Sequence, residues 1–205
     1  MRILLQFPEG LKYKALEYSE KYQKEGHEVF ISSTPCFGAC GVAIQEAQMV
    51  NADKIIHFGH SKFVKKDLPV PVEYINYEIN IDVNYLEHIM EELEPYTSLG
   101  LVTTIQHVHQ LEEIKEFLQS KGKTVLIGKG NIASEEGQVL GCDAGAITTI
   151  LDQIDAVLYV GGGLFHPTAI KITKPVFVYN PHSHSIEDIS PKIEKIAFID
   201  NSIHS

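Results

Sequence analysis

Short apolar runs alternate with segments of helical spacing along this chain. In the first 32 residues RILLQF and HEVFIS are short apolar runs, and the segment between them places Leu16, Tyr18 and Tyr22 at roughly helical intervals. Gly26 ends that segment, as glycine commonly does at a helix C-terminus. The order strand, helix, strand predicts parallel strands covered by helices.

The same pattern returns between residues 98 and 128. SLGLVTT predicts a strand, LEEIKEFLQSKG a helix that ends at Gly122, and KTVLIG another strand. Gly26 and Gly122 are 96 positions apart, and at this offset Tyr18 falls on Ile114. Apolar positions therefore match apolar positions, which indicates an internal repeat.

A second match follows at a larger offset. Cys40 precedes Asp53 by 13 positions, and Cys142 precedes Asp155 by the same 13. Each aspartate opens an apolar strand, with a glycine six positions later and a phenylalanine four positions further on. The offset is now 102, so the second copy carries about six extra residues, which GKGNIASEEG supplies. Equal spacing favours two copies of a β-α-β-α-β-β-like unit over a chance likeness between βα segments.

The predicted fold is α/β, with two repeated domains at residues 1–95 and 96–205. The boundary lies near Glu94 and Pro95, after the helical pattern DVNYLEHIMEEL. Each domain is expected to be a short parallel sheet flanked by helices, and a pseudo-rotation is expected to relate the two. Ligand sites in parallel α/β sheets form at the carboxyl ends of strands, so we expect the site between the domains.

Composition narrows the class of protein. The chain has 205 residues, 44% hydrophobic and 21% charged, which suits a soluble globular protein with a real core. The net charge is -10, and Arg2 is the single arginine, so direct nucleic-acid binding is not expected. No apolar run approaches 18 residues, and the N-terminus lacks signal-peptide features, so we expect no membrane span and a cytoplasmic location.

The three cysteines are the strongest chemical signal. Cys36 and Cys40 share TPCFGACGVA, and Cys142 lies in VLGCDAGA at the position equivalent to Cys40. Three thiols in a cytoplasmic chain argue against a disulfide framework and leave inert thiols, a reactive thiol or metal ligation. Cys40 and Cys142 each open a predicted helical segment, where the helix dipole would lower the pKa of the thiol. Taken singly, each cysteine also suits a small buried apolar position.

Two kinds of metal site fit these residues. A closed zinc site needs four ligands, and His57 and His60 would complete one with the cysteines. Three cysteines suit a [4Fe–4S] cluster with one open iron that binds a substrate. The sequence leaves both open, and the absence of C-x2-C spacing favours the cluster.

Six motifs, in chain order, resemble the diphthamide-synthesis radical enzyme family along nearly the whole chain: LLQFPEGL, FGACGVA, ADKIIHFGHS, VTTIQHVHQLEEIKEFLQSKGK, GQVLGCD and LYVGGGLFHP. The resemblance implies three related α/β domains, each giving one cysteine to a central [4Fe–4S] cluster that an external electron donor reduces. The cluster binds S-adenosylmethionine and cleaves its Cγ–S bond to a 3-amino-3-carboxypropyl radical. That group is added to a histidine of translation elongation factor 2. The family cysteines fall on Cys40 and Cys142.

The chain departs from the family by stopping after two repeats. The third domain and its cysteine are missing, so we interpret the chain as a two-domain short form. We predict the metal ligands Cys36, Cys40 and Cys142, with Cys36 replacing the missing cysteine. In the alternatives, Cys36 is a bystander, another chain supplies the ligand through an oligomer such as a homo-oligomer, the acceptor is a different one, or the chain is truncated.

Residues at the ends of equivalent strands are the candidates for cofactor contacts. Glu9 and Gly10 follow the first strand and Gln106 its equivalent, while GHS at 59–61 and GGG at 161–163 are equivalent loops whose N–H groups suit an anion. His107 and His109 fit helix-entry surface positions better. The predicted S-adenosylmethionine contacts are Glu9, Gly10, His60, Ser61, Gln106, Gly161, Gly162, Gly163 and His166.

Three other functions remain as alternatives. A non-catalytic accessory subunit would share the fold and assist a larger partner. An iron–sulfur lyase of the quinolinate-synthase type would use a three-cysteine cluster, but the motifs fit it less well. A structural zinc protein comes last.

Overall fold

The computed structural model describes residues 1–62 and 67–203, with side chains described up to residue 196. Phe63, the first phenylalanine of the repeated pattern, lies outside these ranges. Two compact units divide the chain, Met1–Glu78 and Ile79–Ser205. Each contains a mainly parallel sheet flanked by helices, which confirms the predicted α/β class.

The first unit contains a four-stranded sheet of order β2-β1-β3-β4 in which all pairs are parallel. Apolar side chains from both faces of β1 and β3 are buried, as expected for a parallel sheet between helices. A 3-10 segment, Glu9–Lys14, precedes the first helix. The elements are β1 (Arg2–Gln6), α1 (Ala15–Lys24), β2 (Glu28–Ile31), α2 (Ile44–Met49), β3 (Lys54–Phe58) and β4 (Val72–Ile75).

The second unit contains a five-stranded sheet of order β6-β5-β7-β8-β9. The first four strands are parallel, and β9 pairs antiparallel with β8. Four 3-10 segments lie at Val83–Ile89, Val108–Gln110, Leu151–Gln153 and Pro167–Ala169. The elements are β5 (Ser98–Thr103), α3 (Leu111–Ser120), β6 (Thr124–Leu126), α4 (Gly145–Thr148), β7 (Ala156–Val160), β8 (Val176–Asn180), β9 (Ser185–Asp188) and α5 (Ser190–Ile203).

Strand pairing reproduces the repeat seen in the sequence. In the first unit Ile3 pairs with Lys54, and in the second Leu99 pairs with Ala156. These pairs are related by the two offsets of 96 and 102 positions. The outer strand agrees as well, since Arg2 pairs with Glu28 and Ser98 with Thr124. The two sheets therefore share one register, and residues at these offsets occupy equivalent positions.

The contact boundary differs from the predicted sequence boundary. The segment Val83–Ile89 was assigned to the first copy, but its apolar side chains belong to the core of the second unit. Leu86 and Leu93 are fully buried there in one cluster with Leu99 and Ile114. Because these side chains pack in the second unit, the boundary between the two compact units falls earlier in the chain than the predicted one. The division of the sequence into copies at 1–95 and 96–205 remains a prediction.

Two elements at the C-terminal end are additions to the predicted pattern. Residues 181–184 form a turn that closes the β8–β9 hairpin, with His184 in left-handed backbone conformation. Asp188 then accepts hydrogen bonds from the Ser190 backbone N–H and hydroxyl at the start of α5. The sequence pattern did not predict this hairpin, because β9 is an edge strand with mostly exposed side chains.

Within the described ranges, none of the helices combines the length and apolar character that crossing a bilayer requires.

Candidate functional site

Cys36, His57 and His60 lie together in the first unit. The Cys36 Sγ is 3.8 Å from His57 Nε2 and 3.8 Å from His60 Nδ1, and the two histidine nitrogens are 2.9 Å apart. Among the histidine, cysteine and carboxylate side chains of the described residues, these three lie close enough together to hold a metal ion. Cys36 is 2% exposed and His57 is fully buried, while His60 is half-buried. A site of this composition is typical of transition-metal binding.

Gln6, at the end of β1, fixes the orientation of His57. The Gln6 Nε2 donates to the Gly41 carbonyl over 2.7 Å, which leaves the Gln6 Oε1 facing the ring. That oxygen accepts hydrogen bonds from the Ala43 N–H at 3.0 Å and from the His57 Nδ1–H at 2.9 Å. One buried amide thus ties the cysteine loop to β3 and directs the Nε2 lone pair of His57 toward Cys36 and His60.

Burial governs the charge of this group. Desolvation, with a smaller contribution from His60, lowers the pKa of His57 to about 4, so its ring is neutral near pH 7. Burial also raises the pKa of the Cys36 thiol, with a smaller opposing effect of the Gly38 hydrogen bond. In the absence of an ion the His57 ring and the Cys36 thiol are therefore neutral near pH 7.

The other two cysteines are exposed. Cys40 and Cys142 both lie in turns, and α2 and α4 begin four and three residues later, at Ile44 and Gly145. The expectation that each thiol lies at a helix N-terminus is therefore wrong, because the helix dipole acts only within the first turn. Their equivalent, exposed positions agree with the repeat.

The Cys142 loop is held by its own side-chain contacts. Asp143 accepts hydrogen bonds from the N–H groups of Ile132, Ala133 and Gly145, which joins the inserted segment to α4. The ring of Phe165 covers Gly141 so closely that a Cβ there would lie 2.4 Å from the ring. The loop after β7 therefore packs directly beside Cys142.

The residues predicted to contact S-adenosylmethionine are spread over several loops. Glu9 and Gly10 are exposed, and Glu9 forms an ion pair with Lys12 at 2.5 Å. His60 belongs to the Cys36 group, and Ser61 beside it is buried. Gly161 is buried and Gly162 and Gly163 are exposed in the loop that carries Phe165 and His166. Burial lowers the pKa of His166, whose ring meets Phe165 edge-on.

Gln106 and its neighbours anchor the start of the second unit. The Gln106 carbonyl accepts a hydrogen bond from the Ile79 N–H, and the buried His107 ring lies 2.8 Å from the Ile79 carbonyl oxygen. His109 contacts Asn80 at 2.8 Å. His107 is therefore a structural residue rather than the helix-entry surface residue that the sequence favoured, while His109 is exposed as expected.

Two residues of the Cys36 group were missed in the sequence. Gln6 ends an otherwise apolar strand, and that single polar position was the available signal. The ring of Tyr74 lies 5.2 Å from that of His57, and its buried hydroxyl lacks a hydrogen-bond partner in the described part of the chain. Strand β4 gave no sequence signal for this contact.

Parallel α/β units with thiols on glycine-containing loops define the class of fold, and comparison with known proteins identifies the family. A family model described as "Putative diphthamide synthesis protein" matches residues 7–198. The chain therefore belongs to the diphthamide synthesis protein family, which confirms the resemblance found in its motifs.

Curated relatives and solved structures agree. The chain is 35% identical over 198 residues to the 2-(3-amino-3-carboxypropyl)histidine synthase of Pyrococcus horikoshii, covering 93% of this chain and 56% of the relative. It is 30% identical to subunit 1 of the human enzyme of that name, with 89% and 42% covered. The crystal structure of Dph2 from Pyrococcus horikoshii with a 4Fe-4S cluster matches with a TM-score of 0.81 and 35% identity, over 93% of this chain and 57% of that chain. The chain thus spans about half the length of these relatives.

Proposed function

We propose that this chain takes part in the transfer of a 3-amino-3-carboxypropyl group from S-adenosylmethionine to a histidine of elongation factor 2, or to a related acceptor. The observation that carries the proposal is the pair of exposed thiols, Cys40 and Cys142, at equivalent positions of two repeats. The support from outside is the family membership and the cluster in the relative from Pyrococcus horikoshii.

The donor set fits an iron–sulfur cluster. Cys40 and Cys142 are accessible thiols on loops next to glycine, and thiolates are the ligands that such clusters need. A bound [4Fe–4S] cluster would supply the electron for cleavage of S-adenosylmethionine and an open iron for its methionine part. The chain's own residues would position the cofactor and exclude water around it.

A cluster with one open iron needs a third protein ligand besides Cys40 and Cys142. The prediction that Cys36 binds the cluster requires its thiol to turn away from His57 and His60, between which it is buried. We therefore favour a third ligand other than Cys36, supplied by a further part of the protein, a second copy or another chain. We keep the S-adenosylmethionine contacts proposed from the sequence. Two of these residues, Gln106 and His60, also make the local contacts described above.

The test is anaerobic purification and reconstitution, followed by measurement of iron and sulfide and by product analysis after reduction with S-adenosylmethionine. We expect a coloured protein that forms methylthioadenosine rather than deoxyadenosine. Cys40→Ala and Cys142→Ala should lose the cluster. A colourless protein without iron after reconstitution would contradict the proposal, and a full cluster in Cys36→Ala would exclude Cys36 as a ligand.

An accessory role is the second candidate. The designation of eukaryotic relatives such as the Schizosaccharomyces pombe protein as subunit 1 favours it. In that case the isolated chain would bind iron without cleaving S-adenosylmethionine, and product would form only after a partner is added.

A further inference from the structure

The Cys36 group is a candidate metal centre in its own right. We propose that Cys36 Sγ, His57 Nε2 and His60 Nδ1 bind a single Zn²⁺ ion, with the fourth coordination position open to water. This ion is distinct from the proposed cluster and does not depend on it, because the ligands all lie in the first unit and include neither of the exposed cysteines.

The distances fit three corners of a tetrahedron. Zinc bonds of about 2.0–2.1 Å to nitrogen and about 2.3 Å to sulfur place two nitrogens about 3.3 Å apart and sulfur about 3.6 Å from each nitrogen. The separations here are 2.9 Å between the nitrogens and 3.8 Å from sulfur to each of them. Each edge therefore lies within about half an ångström of the expected value, and an ion fits with small side-chain movements.

The surroundings of His57 are those of a metal-ligating histidine. Such histidines donate their other ring N–H to an oxygen that fixes the ring, and Gln6 Oε1 accepts the His57 Nδ1–H at 2.9 Å. Because Gln6 is itself held by Gly41 and Ala43, the ring is oriented before any ion binds.

The fold does not require these side chains. At the offset of 102 positions, Gln138, Tyr159 and Gly162 occupy the places of Cys36, His57 and His60 in the second unit. The same strand register is built there with a buried tyrosine where the first unit has a buried histidine. Burying the His57 imidazole has a desolvation cost, so its convergence with Cys36 and the half-buried His60 indicates a ligand rather than a packing need.

The donor set selects the ion. One thiolate and two imidazoles suit zinc, and three protein ligands are the usual number where a position stays open to water. Cys36 would release its proton to solvent on binding. Tyr74 contacts His57 and also lines a cavity of about 280 Å³ with Lys62 and Asp67, so the centre lies one side chain from an opening.

The test uses the full chain carrying Cys40→Ser and Cys142→Ser, in which Cys36 is the single remaining thiol. Metal-free protein is titrated with Co²⁺ as a spectroscopic probe and then with Zn²⁺. We expect one Co²⁺ per chain, a thiolate-to-cobalt charge-transfer band, tetrahedral visible bands, and displacement by Zn²⁺. The absence of the charge-transfer band would overturn the proposal, whatever the fate of the cluster.

His60→Gln in the same background tests the ligand set, because His60 is half-buried and its loss should leave the fold intact, as circular dichroism would verify. Loss of a ligand should weaken Zn²⁺ binding beyond the ~10–100-fold seen when only an outer partner is lost. The exposed His88→Gln is the matched control and should bind as the parent does. Equal Zn²⁺ affinities of the His60→Gln and His88→Gln variants would mean that His60 is not a ligand and only hydrogen-bonds to its neighbours. That result would contradict the metal centre.

Discussion

The two units use one strand register for different purposes. In both, an aspartate at the start of the third strand binds backbone N–H groups of the first strand, and a cysteine lies exposed in the loop before a short helix. Behind that loop the units diverge. The first buries a polar group around His57 and Gln6, whereas the second buries Tyr159 and Val102 at the equivalent positions. The features common to both units therefore support an equivalent role for Cys40 and Cys142. The buried polar group has no counterpart at the equivalent, described positions of the second unit, which indicates a function of the first unit alone.

Removal of either exposed thiol should give the largest effect. Cys40→Ala and Cys142→Ala are each expected to reduce iron content and methylthioadenosine formation to background, because both thiols are proposed ligands. Cys36→Ala is the comparison that breaks the equivalence, and it should retain the cluster iron. Iron, sulfide and product measured on the same preparations check this. An unequal effect of the first two substitutions would contradict their equivalence.

Replacing Gln6 by its counterpart should be the next largest effect. Gln6→Val leaves the Ala43 N–H and the His57 Nδ1–H without an acceptor, and we expect a loss of about 2–4 kcal/mol in the free energy of unfolding. Urea denaturation measures it.

The double variant Gln6→Val/His57→Tyr copies the second unit and should lose less than the sum of the single variants. Strict additivity would show that the amide and the ring act independently.

At another equivalent position, the second unit has a glycine where the first unit has a side chain. Gly128 occupies the place of Ser32, and a Cβ there would lie 2.1 Å from the Ala146 carbonyl oxygen in α4. Gly128→Ala should therefore lower the free energy of unfolding by about 2 kcal/mol, since backbone must move. Gly10→Ala, which meets no atom within 4 Å, is the control and should leave stability nearly unchanged.

The smallest expected difference concerns the paired aspartates. Asp155 accepts hydrogen bonds from the backbone N–H groups of Thr97 and Ser98, whereas the hydrogen bond described for Asp53 comes from the Arg2 N–H alone. These hydrogen bonds hold the pKa of Asp155 below its usual range, so its stabilising effect is present at neutral pH and is lost as pH falls through the lowered pKa. Asp155→Asn should thus destabilise at pH 7 more than Asp53→Asn.

The difference between wild type and Asp155→Asn should shrink below about pH 4, as urea unfolding at neutral and acid pH would reveal. Asp152→Asn, at an exposed position nearby, serves as the control. A difference that stays constant with pH would assign the effect to geometry rather than to charge.

Much of the fold could be predicted because its strands are local apolar runs with clear breaks. RILLQF and DAVLYV became β1 and β7, and glycines at 26 and 122 end their helices with positive φ as expected. Strand β9 escaped prediction because its mostly exposed, polar residues gain order from pairing with β8. The apolar spacing did not reveal that residues Glu9–Lys14, ahead of α1, form a 3-10 segment.

The site was harder to predict because its contacts join distant parts of the chain. Spacing revealed that Cys40 and Cys142 are equivalent, but spacing does not reveal where a thiol points. Cys36 lies 21 positions from His57, and only the folded loop brings them together. His57 itself sits in the apolar run KIIHF, where a single polar residue is easily interpreted as a core position.

Strand β9 has a further consequence for the protein at high concentration. An outermost strand exposes unpaired backbone groups that recruit strands from other molecules, and charged side chains oppose such fibril-like stacking. The last strand of the second sheet carries Glu187 and Asp188, one paired with Lys192 and the other capping α5. The same two carboxylates that fasten the C-terminal helix therefore also protect this edge against aggregation.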